Sequence, residues 1–528
     1  MHGSGRKKRA TDSSLVESLL QPGAFPHPTT GVELMETHIS WVILAGDYVY
    51  KIKKPVRLDF LDFSELERRK YFCEEEVRLN KAWAPELYLD VAPIAVKDGQ
   101  AKFGGKGVPV EYAVRMRRFD QERLLNRELE RGTLSVDDMD ELGAHIAERH
   151  LAATVVDAAQ RERVLRLTKQ FIRDNFTALD GKVDEAELGD IRDWMERELK
   201  KLDHKLAQRF DAGFFRNCHG DLHLGNLVRL ADGITAFDCI EFDEDLRHID
   251  VFCDIAFLLI DLVSRRHHDL AAHFLNRYLE RTGDYDGMSV FSLYFVYRCL
   301  VRAKVAAIRG EGRSDESKRA ADLDELAHYL GMAQRQIAPR IPVLVVMSGL
   351  SGSGKTWLST KLMGALPAIR IRSDLERKRM FGLAETGKSD SGVGEGIYTP
   401  AASRDVYRKL RSLAESVLGA GHNLILDAAF LAKHEREQAI GVARRCGCYP
   451  VIVSLSVPRK LLERRILSRA GDASEASLAV LEQQLENAEP VTDAERALVI
   501  EVDNVDGVDA SAIAAGIKDA ARRQPQSG

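Results

Sequence analysis

The chain has 528 residues, of which 45% are hydrophobic and 30% are charged, and its formal net charge is −5. This length exceeds one ordinary hydrophobic core and predicts two large domains. The composition excludes a disordered or fibrous protein, and the slightly acidic balance argues against bulk electrostatic binding of nucleic acid. Because Asp254 and Asp261 interrupt the longest apolar-rich stretch, we expect no membrane span.

The N-terminus and the cysteines indicate the compartment. Residues 1–9 are basic and lack the apolar segment of a secretory signal, so we interpret them as a solvated tail. The 7 cysteines form no C-x-x-C pair, which fits reduced thiols better than disulfides or a zinc site. We therefore expect a cytoplasmic protein.

The predicted elements begin with a β-hairpin. Residues 39–45 and 48–52 are strand-like and are joined by a Gly-Asp turn. Residues 64–81 have helical periodicity, with Ser64 as the N-cap and Glu67 completing a capping box.

A second group of elements is mainly helical. Residues 108–116 predict another strand, and residues 134–206 and 251–330 are mostly helical in pattern, separated by a loop-and-strand region around 218–242. The order predicts a small β-rich lobe followed by a large helical lobe.

The pattern changes at Pro342, which breaks the preceding helix. The continuous apolar run at 343–347 is typical of a buried parallel strand. Further apolar runs that alternate with helical stretches lie at 368–371, 423–426, 451–455 and 498–502. This alternation predicts an α/β domain with a parallel sheet.

A phosphate-binding loop follows the strand at 343–347. Its residues have the spacing G-x-x-x-x-G-K-T, and a helical stretch comes directly after them. Glycines let backbone N–H groups surround phosphate oxygens, the lysine bridges the outer phosphates, and the threonine hydroxyl ligates Mg²⁺. The predicted cofactor-binding residues of this loop are Gly349, Gly352, Ser353, Gly354, Lys355 and Thr356.

Two carboxylates follow neighbouring apolar runs. Asp427 ends one run and is the candidate for a magnesium-orienting carboxylate, with a helix cap as the alternative. Asp374 lies within residues 372–378, a segment that brings a carboxylate and cations to the start of a helix and fits a base with a phosphate clamp. The alternative is an N-cap at Ser373 or Asp374 beside ordinary exposed cations.

This second half resembles P-loop kinases of the polynucleotide kinase, gluconate kinase and chloramphenicol phosphotransferase type. In that type an aspartate after the second strand activates the acceptor hydroxyl, which implies that Asp374 is the base. Arg465 and Arg469 form an i,i+4 pair on a helix and look like lid arginines that close over the transferring phosphoryl group. An ordinary arginine-rich surface helix is the alternative.

A second phosphotransfer motif occupies residues 219–226, with the sequence H-G-D-L-H-L-G-N. It looks like the motif of the aminoglycoside phosphotransferase family, which shares the protein-kinase-like fold. The resemblance implies that Asp221 accepts or orients the substrate hydroxyl proton, that Asn226 holds one Mg²⁺, and that Asp238 holds metal against the β- and γ-phosphates. We interpret His219 as structural.

A kinase-like site of this type also needs a lysine on the third strand, paired with a helix carboxylate. Lys51 and Lys53 lie on one face by strand alternation, so periodicity does not choose between them, and Glu76 or Glu75 is the partner. We favour Lys51 with Glu76; an exposed lysine edge is the alternative. No G-x-G-x-x-G loop precedes the hairpin, as is usual in the aminoglycoside phosphotransferase branch.

The whole chain resembles bacterial proteins in which an aminoglycoside phosphotransferase-like domain is fused to a P-loop ATP-binding kinase domain of the AAA or polynucleotide kinase-like type. The implied fold class is α/β and α+β, with a protein-kinase-like two-lobe domain before a P-loop domain built on a parallel sheet. The predicted segments are a basic tail and lead-in (1–29), the kinase-like domain (30–335), a linker (336–342), the P-loop domain (343–520) and a tail (521–528).

These features predict a phosphotransferase that uses ATP and Mg²⁺ at two sites, one kinase-like and one P-loop, and that acts on hydroxyl groups of small molecules. The alternatives are a P-loop enzyme regulated by a non-catalytic kinase-like sensor and a nucleic-acid 5′-hydroxyl kinase. We expect a nucleotide and a small-molecule hydroxyl acceptor as partners, and neither nucleic acid nor a membrane. The sequence assigns no oligomeric state.

Overall fold

A computed structural model describes residues 14–29, 31–58, 61–389, 391–392, 394–468, 477–505 and 507–523. The chain divides into two compact units. Unit 1 comprises Met1–Leu134, Ala152–Gln170 and Ala207–Leu258, and unit 2 comprises Ser135–Leu151, Phe171–Leu206 and Leu259–Gly528. The basic residues 1–9, predicted to be a tail, lie outside the described residues.

Unit 1 is built on a six-stranded antiparallel sheet in the spatial order β1-β2-β3-β8-β6-β7. Its strands, with a separate short pair β4 and β5, are β1 (Val32–Glu36), β2 (Ser40–Ala45), β3 (Tyr48–Lys53), β4 (Arg57–Leu58), β5 (Leu61–Asp62), β6 (Tyr88–Lys97), β7 (Gln100–Phe103) and β8 (Pro109–Arg117). The predicted hairpin is confirmed as β2 and β3, and the strand predicted at 108–116 as β8. Ile43, Tyr50 and Ile52 pack with Ile94 and Phe103 in the core of this sheet.

Helix α1 (Leu66–Asn80) follows the short strands and packs against β8 and β6. The predicted capping box is wrong, because the N-cap is Glu65 and makes no side-chain cap. The Ser64 hydroxyl instead donates to Asp62 Oδ1 at 2.6 Å. The Ser64 side chain therefore stabilises a local turn and does not cap the helix.

The middle of the chain is mostly helical, as predicted. Its elements are α2 (Leu125–Glu130), α3 (Val136–Ala152), α4 (Arg161–Leu179), α5 (Glu185–Lys201), α6 (Asp203–Asp211), β9 (Phe215–Asn217), β10 (Leu227–Leu230), β11 (Gly233–Ala236), β12 (His248–Asp250), α7 (Val251–Ser264), α8 (His268–Thr282), α9 (Met288–Glu311) and α10 (Glu316–Ile337). Antiparallel pairs form between β10 and β11 and between β9 and β12. The described residues contain no helix with both the length and the apolarity of a membrane span.

The rest of unit 2 is an α/β fold on a parallel five-stranded sheet, which confirms the prediction for the second half. Its elements are β13 (Val343–Ser348), α11 (Lys355–Ala365), β14 (Ala368–Arg372), α12 (Ser373–Met380), α13 (Pro400–Gly419), β15 (Asn423–Asp427), α14 (Lys433–Arg445), β16 (Tyr449–Ser456), α15 (Arg459–Leu467), α16 (Leu478–Asn487), β17 (Val499–Asp503) and α17 (Ala510–Arg522). The spatial order is β14-β15-β13-β16-β17. Since the order changes direction at β13, a crevice opens at the carboxyl end of that strand.

Candidate active sites

Lys51 contacts two carboxylates of unit 1 that lie far from it in the sequence. Its Nζ lies 2.9 Å from Glu76 Oε1 on α1 and 2.5 Å from Asp238 Oδ1, which follows β11. Burial alone would lower the pKa of Lys51, but the carboxylates of Asp238 and Glu76 raise it well above its usual value. The lysine therefore stays protonated and able to bind phosphate oxygens.

Lys53 lies on the same face of β3 and also contacts Glu76, at 2.6 Å from Oε2. Its side chain is 1% exposed and pairs with Glu241, a residue that the sequence reasoning did not single out. The alternative of an exposed lysine edge is therefore wrong. Because Lys51 is the lysine that reaches Asp238, the geometry favours it over Lys53 as the phosphate ligand.

Glu76 is the carboxylate at the centre of this ion network. Burial would raise its pKa, but Lys51 and Lys53 lower it to about 2. Glu75 instead forms an ion pair with Arg78 of the same helix at 2.7 Å. The geometry therefore favours Glu76 as the partner of the strand lysine.

Asp221 and Asn226 lie in one short loop between β9 and β10. Asn226 Nδ2 is 3.0 Å from both the backbone oxygen and Oδ2 of Asp221, so the amide oxygen of Asn226 is the atom that can ligate a cation. The side chains of Asp221 and Asp238 are 38% and 42% exposed, so both are accessible to a ligand. Asp238 also has a positive φ of 59°, a strained conformation typical of functional sites.

His219 fixes the start of this loop. Its Nε2 lies 2.9 Å from the backbone oxygen of Phe237, and the backbone N–H of Asp221 donates to its Nδ1 at 3.3 Å. Burial lowers the pKa of His219, so the ring is neutral with its proton on Nε2. This geometry fits the structural role predicted for His219.

Asp254 on α7 anchors the same loop and was missed as a site residue. It is 0% exposed and accepts the backbone N–H groups of His219 at 2.9 Å and Gly220 at 2.8 Å. Gly220 has a φ of 84°, and a Cβ there would lie 2.9 Å from Leu246 O, so the tight loop requires glycine. A carboxylate inside an otherwise apolar helix was the available signal, because a buried charge must have partners.

Replacing Asp254 with alanine is expected to destabilise this loop. Two buried N–H groups would lose their acceptor, at a cost of about 3 kcal/mol in the free energy of unfolding. Urea unfolding of the full chain measures this cost, with the exposed Asp232→Ala as the matched control. Equal unfolding free energies for the two variants would contradict this role for Asp254.

The P-loop of unit 2 connects β13 to α11. Gly349, Gly352 and Gly354 have φ values of 149°, 86° and 92°. A Cβ at Gly349 would lie 2.9 Å from Leu455 O, and a Cβ at Gly352 would lie 2.9 Å from Leu462 O. Glycine is therefore required both by the backbone conformation and by the space.

Polar groups of the P-loop fit a bound phosphate. Lys355 Nζ lies 2.9 Å from the backbone oxygens of Gly349 and Leu350, within the loop itself. The Ser353 hydroxyl is buried and has no hydrogen-bond partner among the described residues. A buried hydroxyl of this kind needs a partner, and a phosphate oxygen held by the loop would supply one.

Asp427 ends β15 beside the first turn of α11. The Ser359 hydroxyl lies 3.0 Å from both Asp427 Oδ2 and the backbone oxygen of Thr356. The helix that follows Asp427 has its N-cap at Ala432, so the alternative that Asp427 caps this helix is wrong. Asp427 is thus fixed next to Thr356, the predicted magnesium ligand.

One cavity of about 1140 Å³ brings most of the predicted residues of unit 2 together, although Gly349 and Ser353 do not line it. Its lining includes Gly352, Gly354, Lys355, Thr356, Arg372, Asp374, Arg377, Asp427 and Arg465. Asp374 lies in the first turn of α12, whose N-cap is Arg372 without a side-chain bond, so the capping alternative is wrong there as well. The cavity therefore combines the P-loop with the two predicted metal ligands, Thr356 and Asp427, and the candidate base.

Two arginines of this cavity have buried donors that lack partners among the described residues. Arg465 Nη2 donates to Asn504 O at 2.9 Å, while its Nη1 has no partner. Arg377, which is 8% exposed, donates from Nη1 to Ile397 O at 2.7 Å, and its Nε has no partner. Arg469, the second predicted lid arginine, lies outside the described residues.

Both candidate sites thus have the parts of ATP-dependent phosphotransferases, and comparison with known proteins agrees. Residues 73–291 match the profile of the "Phosphotransferase enzyme family", and residues 344–491 match that of an "AAA domain". The chain carries an aminoglycoside phosphotransferase-like domain followed by a P-loop kinase domain, and the predicted resemblance and fold class are confirmed. Domains of these kinds bind ATP, and phosphotransferases generally use Mg²⁺.

Similar proteins and structures span either most of the chain or one part of it. An uncharacterized protein of Mycobacterium tuberculosis is 29% identical over 469 residues, which cover 86% of this chain and 90% of that protein. An ethanolamine kinase of Plasmodium vivax is 12% identical, with a TM-score of 0.35. The match covers 58% of this chain and 84% of the ethanolamine kinase chain. A gluconokinase of Sinorhizobium meliloti is 19% identical, with a TM-score of 0.25. The match covers 35% of this chain and 96% of the gluconokinase chain.

Proposed function

We propose that the chain is a phosphotransferase with two ATP- and Mg²⁺-dependent sites that both transfer phosphoryl groups to hydroxyl groups of small molecules. The first site consists of Lys51, Glu76, Asp221, Asn226 and Asp238. The second site consists of the P-loop together with Asp374, Asp427 and Arg465. The observation that carries the proposal is that residues dispersed in the sequence meet within each unit. Lys51 contacts Glu76 and Asp238 in unit 1, where Asp221 and Asn226 also contact each other, and most of the second set lines one cavity of unit 2.

At the first site, each residue has a separate role in phosphoryl transfer. Lys51, held by Glu76, steadies the nucleotide phosphates. Asp221 orients the acceptor hydroxyl and takes its proton. Asn226 and Asp238 are the residues that would hold Mg²⁺ through their oxygen atoms, and the bound ion would neutralise charge on the phosphates.

At the second site, the loop amides and Lys355 bind the phosphates at the N-terminus of α11. Thr356 and Asp427 are the residues that would hold Mg²⁺ there. Asp374 lines the same cavity and would accept the proton of the acceptor hydroxyl. Arg465, whose Nη1 has no partner among the described residues, would stabilise charge on the transferring group.

Arg377 predicts a property of the acceptor at the second site. The Arg377 guanidinium contacts the Ile397 carbonyl, the Ser403 hydroxyl and the ring of Tyr398, none of which carries negative charge. A cation that is nine-tenths buried beside the candidate base favours an acceptor with an anionic group.

Arg377→Gln is therefore expected to raise the KM for the acceptor about tenfold, with the KM for ATP unchanged. Steady-state kinetics with the acceptor found by the labelling experiment below measure both constants. Arg408→Gln is the control for loss of charge, because Arg408 is an exposed arginine on α13. A normal acceptor KM for Arg377→Gln would contradict this role.

Transfer of γ-labelled phosphate from ATP tests the proposed function. The full chain and its Asp221→Asn and Lys355→Ala variants are incubated with panels of small hydroxyl compounds and with a 5′-hydroxyl oligonucleotide. We expect each variant to lose a different subset of labelled small-molecule products. Labelling that is confined to the oligonucleotide, or absent for one site throughout, would contradict the proposal for that site.

A further inference from the structure

Buried polar contacts join α8 to β14, which is an edge strand of the parallel sheet. Asn276 on α8 is 1% exposed, and its Nδ2 donates to Ala368 O at 2.9 Å. Its Oδ1 accepts the backbone N–H of Arg370 at 2.6 Å. The side-chain amide therefore pairs with the free edge of β14 as a neighbouring strand would.

Glu280 lies one helical turn beyond Asn276 and faces the same strand. It is 6% exposed, and its Oε1 lies 2.7 Å from Nη2 of Arg370, which is also 6% exposed. Burial would raise the pKa of Glu280, but the guanidinium groups of Arg370 and Arg372 lower it, so the carboxylate is ionised. Breaking such a buried pair from one side leaves the other charge uncompensated.

Arg370 extends this contact to the helix that carries the P-loop threonine. Its Nη1 donates to the Thr360 hydroxyl on α11. The same hydroxyl donates to the backbone oxygen of Thr356 at 2.8 Å. A continuous path of hydrogen bonds thus runs from Glu280 through Arg370 and Thr360 to the first turn of α11.

We propose that Glu280 is a positioning residue for the P-loop site, acting through Arg370 and Thr360 on the orientation of Thr356. The proposal rests on the proposed function of Thr356 as a magnesium ligand. Helix α8 lies within the segment that matches the phosphotransferase family. The proposal gives this helix a role in magnesium binding at the P-loop site.

The physical basis is the coupling of consecutive hydrogen bonds. Arg370 polarises the Thr360 hydroxyl and so strengthens its bond to the Thr356 carbonyl. Without the Glu280 charge, the guanidinium of Arg370 is free to shift towards other acceptors, and the first turn of α11 loses this restraint. Residues that orient metal ligands typically change metal affinity by about tenfold or more when they are replaced.

The test compares Mg²⁺ dependence of nucleotide binding in the full chain. ADP is titrated by calorimetry with and without Mg²⁺, in a background of Lys51→Ala and Asp238→Ala that silences the first site. Glu280→Gln is expected to weaken the apparent Mg²⁺ affinity about tenfold, with Mg²⁺-free ADP binding unchanged. Glu280→Asp, which keeps the charge, is expected to restore part of this loss.

Two further variants distinguish the hydrogen-bond path to Thr356 from the other contacts of α8. Thr360→Val breaks the path next to the P-loop while the contacts of α8 remain, and it is expected to reproduce the Mg²⁺ effect even if Glu280→Gln does not fold. Glu385→Gln removes the 2.6 Å ion pair with Arg277 of α8, whose other carboxylate partner is Glu280 at 3.6 Å. Because the path through Arg370 is left intact, this variant is expected to leave Mg²⁺ affinity unchanged.

The outcomes are distinct. Unchanged Mg²⁺ affinity in Glu280→Gln or Thr360→Val would overturn the inference, as would an equal loss in Glu385→Gln. If the background protein with an intact P-loop binds no nucleotide with Mg²⁺, the proposed function of the P-loop site fails instead.

Discussion

Replacing Asp221 with asparagine is expected to lower phosphoryl transfer at the first site by about 10³-fold. Asparagine has the same shape and can still accept the hydrogen bond from Asn226, but it cannot take the proton of the acceptor hydroxyl. Nucleotide binding is therefore expected to persist, because Lys51 and Asp238 are untouched. Single-turnover transfer of labelled phosphate and calorimetry with ATP and Mg²⁺ measure the two properties separately.

The matched control for this variant is Asp232→Asn, which makes the same chemical change at an exposed residue between β10 and β11. It is expected to transfer phosphate at the normal rate. If Asp221→Asn retains transfer within about threefold of the unaltered protein, Asp221 is not a catalytic base. Loss of nucleotide binding together with transfer would likewise contradict the assigned role.

Replacing Lys355 with alanine is expected to weaken nucleotide binding at the P-loop site by about 100-fold. Lys355 is the ammonium group of the loop, and each charge-assisted hydrogen bond to a phosphate contributes about 1.5 kcal/mol or more, so two such bonds give this factor. Calorimetry in the Lys51→Ala and Asp238→Ala background isolates the P-loop site.

Lys361→Met is the matched control, because Lys361 is an exposed lysine on the same helix. Its nucleotide affinity is expected to equal that of the background protein. Equal affinities for Lys355→Ala and Lys361→Met would show that the loop lysine does not bind phosphate.

Local sequence patterns predict most of the elements that carry the sites. The hairpin β2 and β3, the P-loop strand and the parallel strands of unit 2 follow from periodicity and turn residues alone. The motif at 219–226 together with Asp238 predicts the first site through its resemblance to the aminoglycoside phosphotransferase family, and Asp221 and Asn226 are in contact within one short loop.

Some site residues could not be predicted from the sequence, because their roles depend on contacts with residues that are remote in the chain. Strand alternation places Lys51 and Lys53 on one face, and only the position of Asp238 distinguishes them. Asp254 and Glu241 act on partners that are remote in sequence, so no local spacing reveals those partners.

The predicted domain boundary at 336–342 stays a prediction. The change from helical to strand patterns is real, since α10 ends at Ile337 and β13 begins at Val343. Unit 2 nevertheless includes α8, α9 and α10 together with the P-loop fold. The buried contacts of Asn276 and Glu280 with β14 give a physical reason, because they join helices and sheet across that boundary.

The number of nucleotides bound per chain tests the central claim of two sites most directly. Calorimetry of the full chain with a non-hydrolysable ATP analogue and Mg²⁺ is expected to give two bound nucleotides. Either Asp238→Ala or Lys355→Ala is expected to reduce this number to one, and the double variant to none. A single bound nucleotide in the unaltered protein, with one of the two variants having no effect, would contradict the claim.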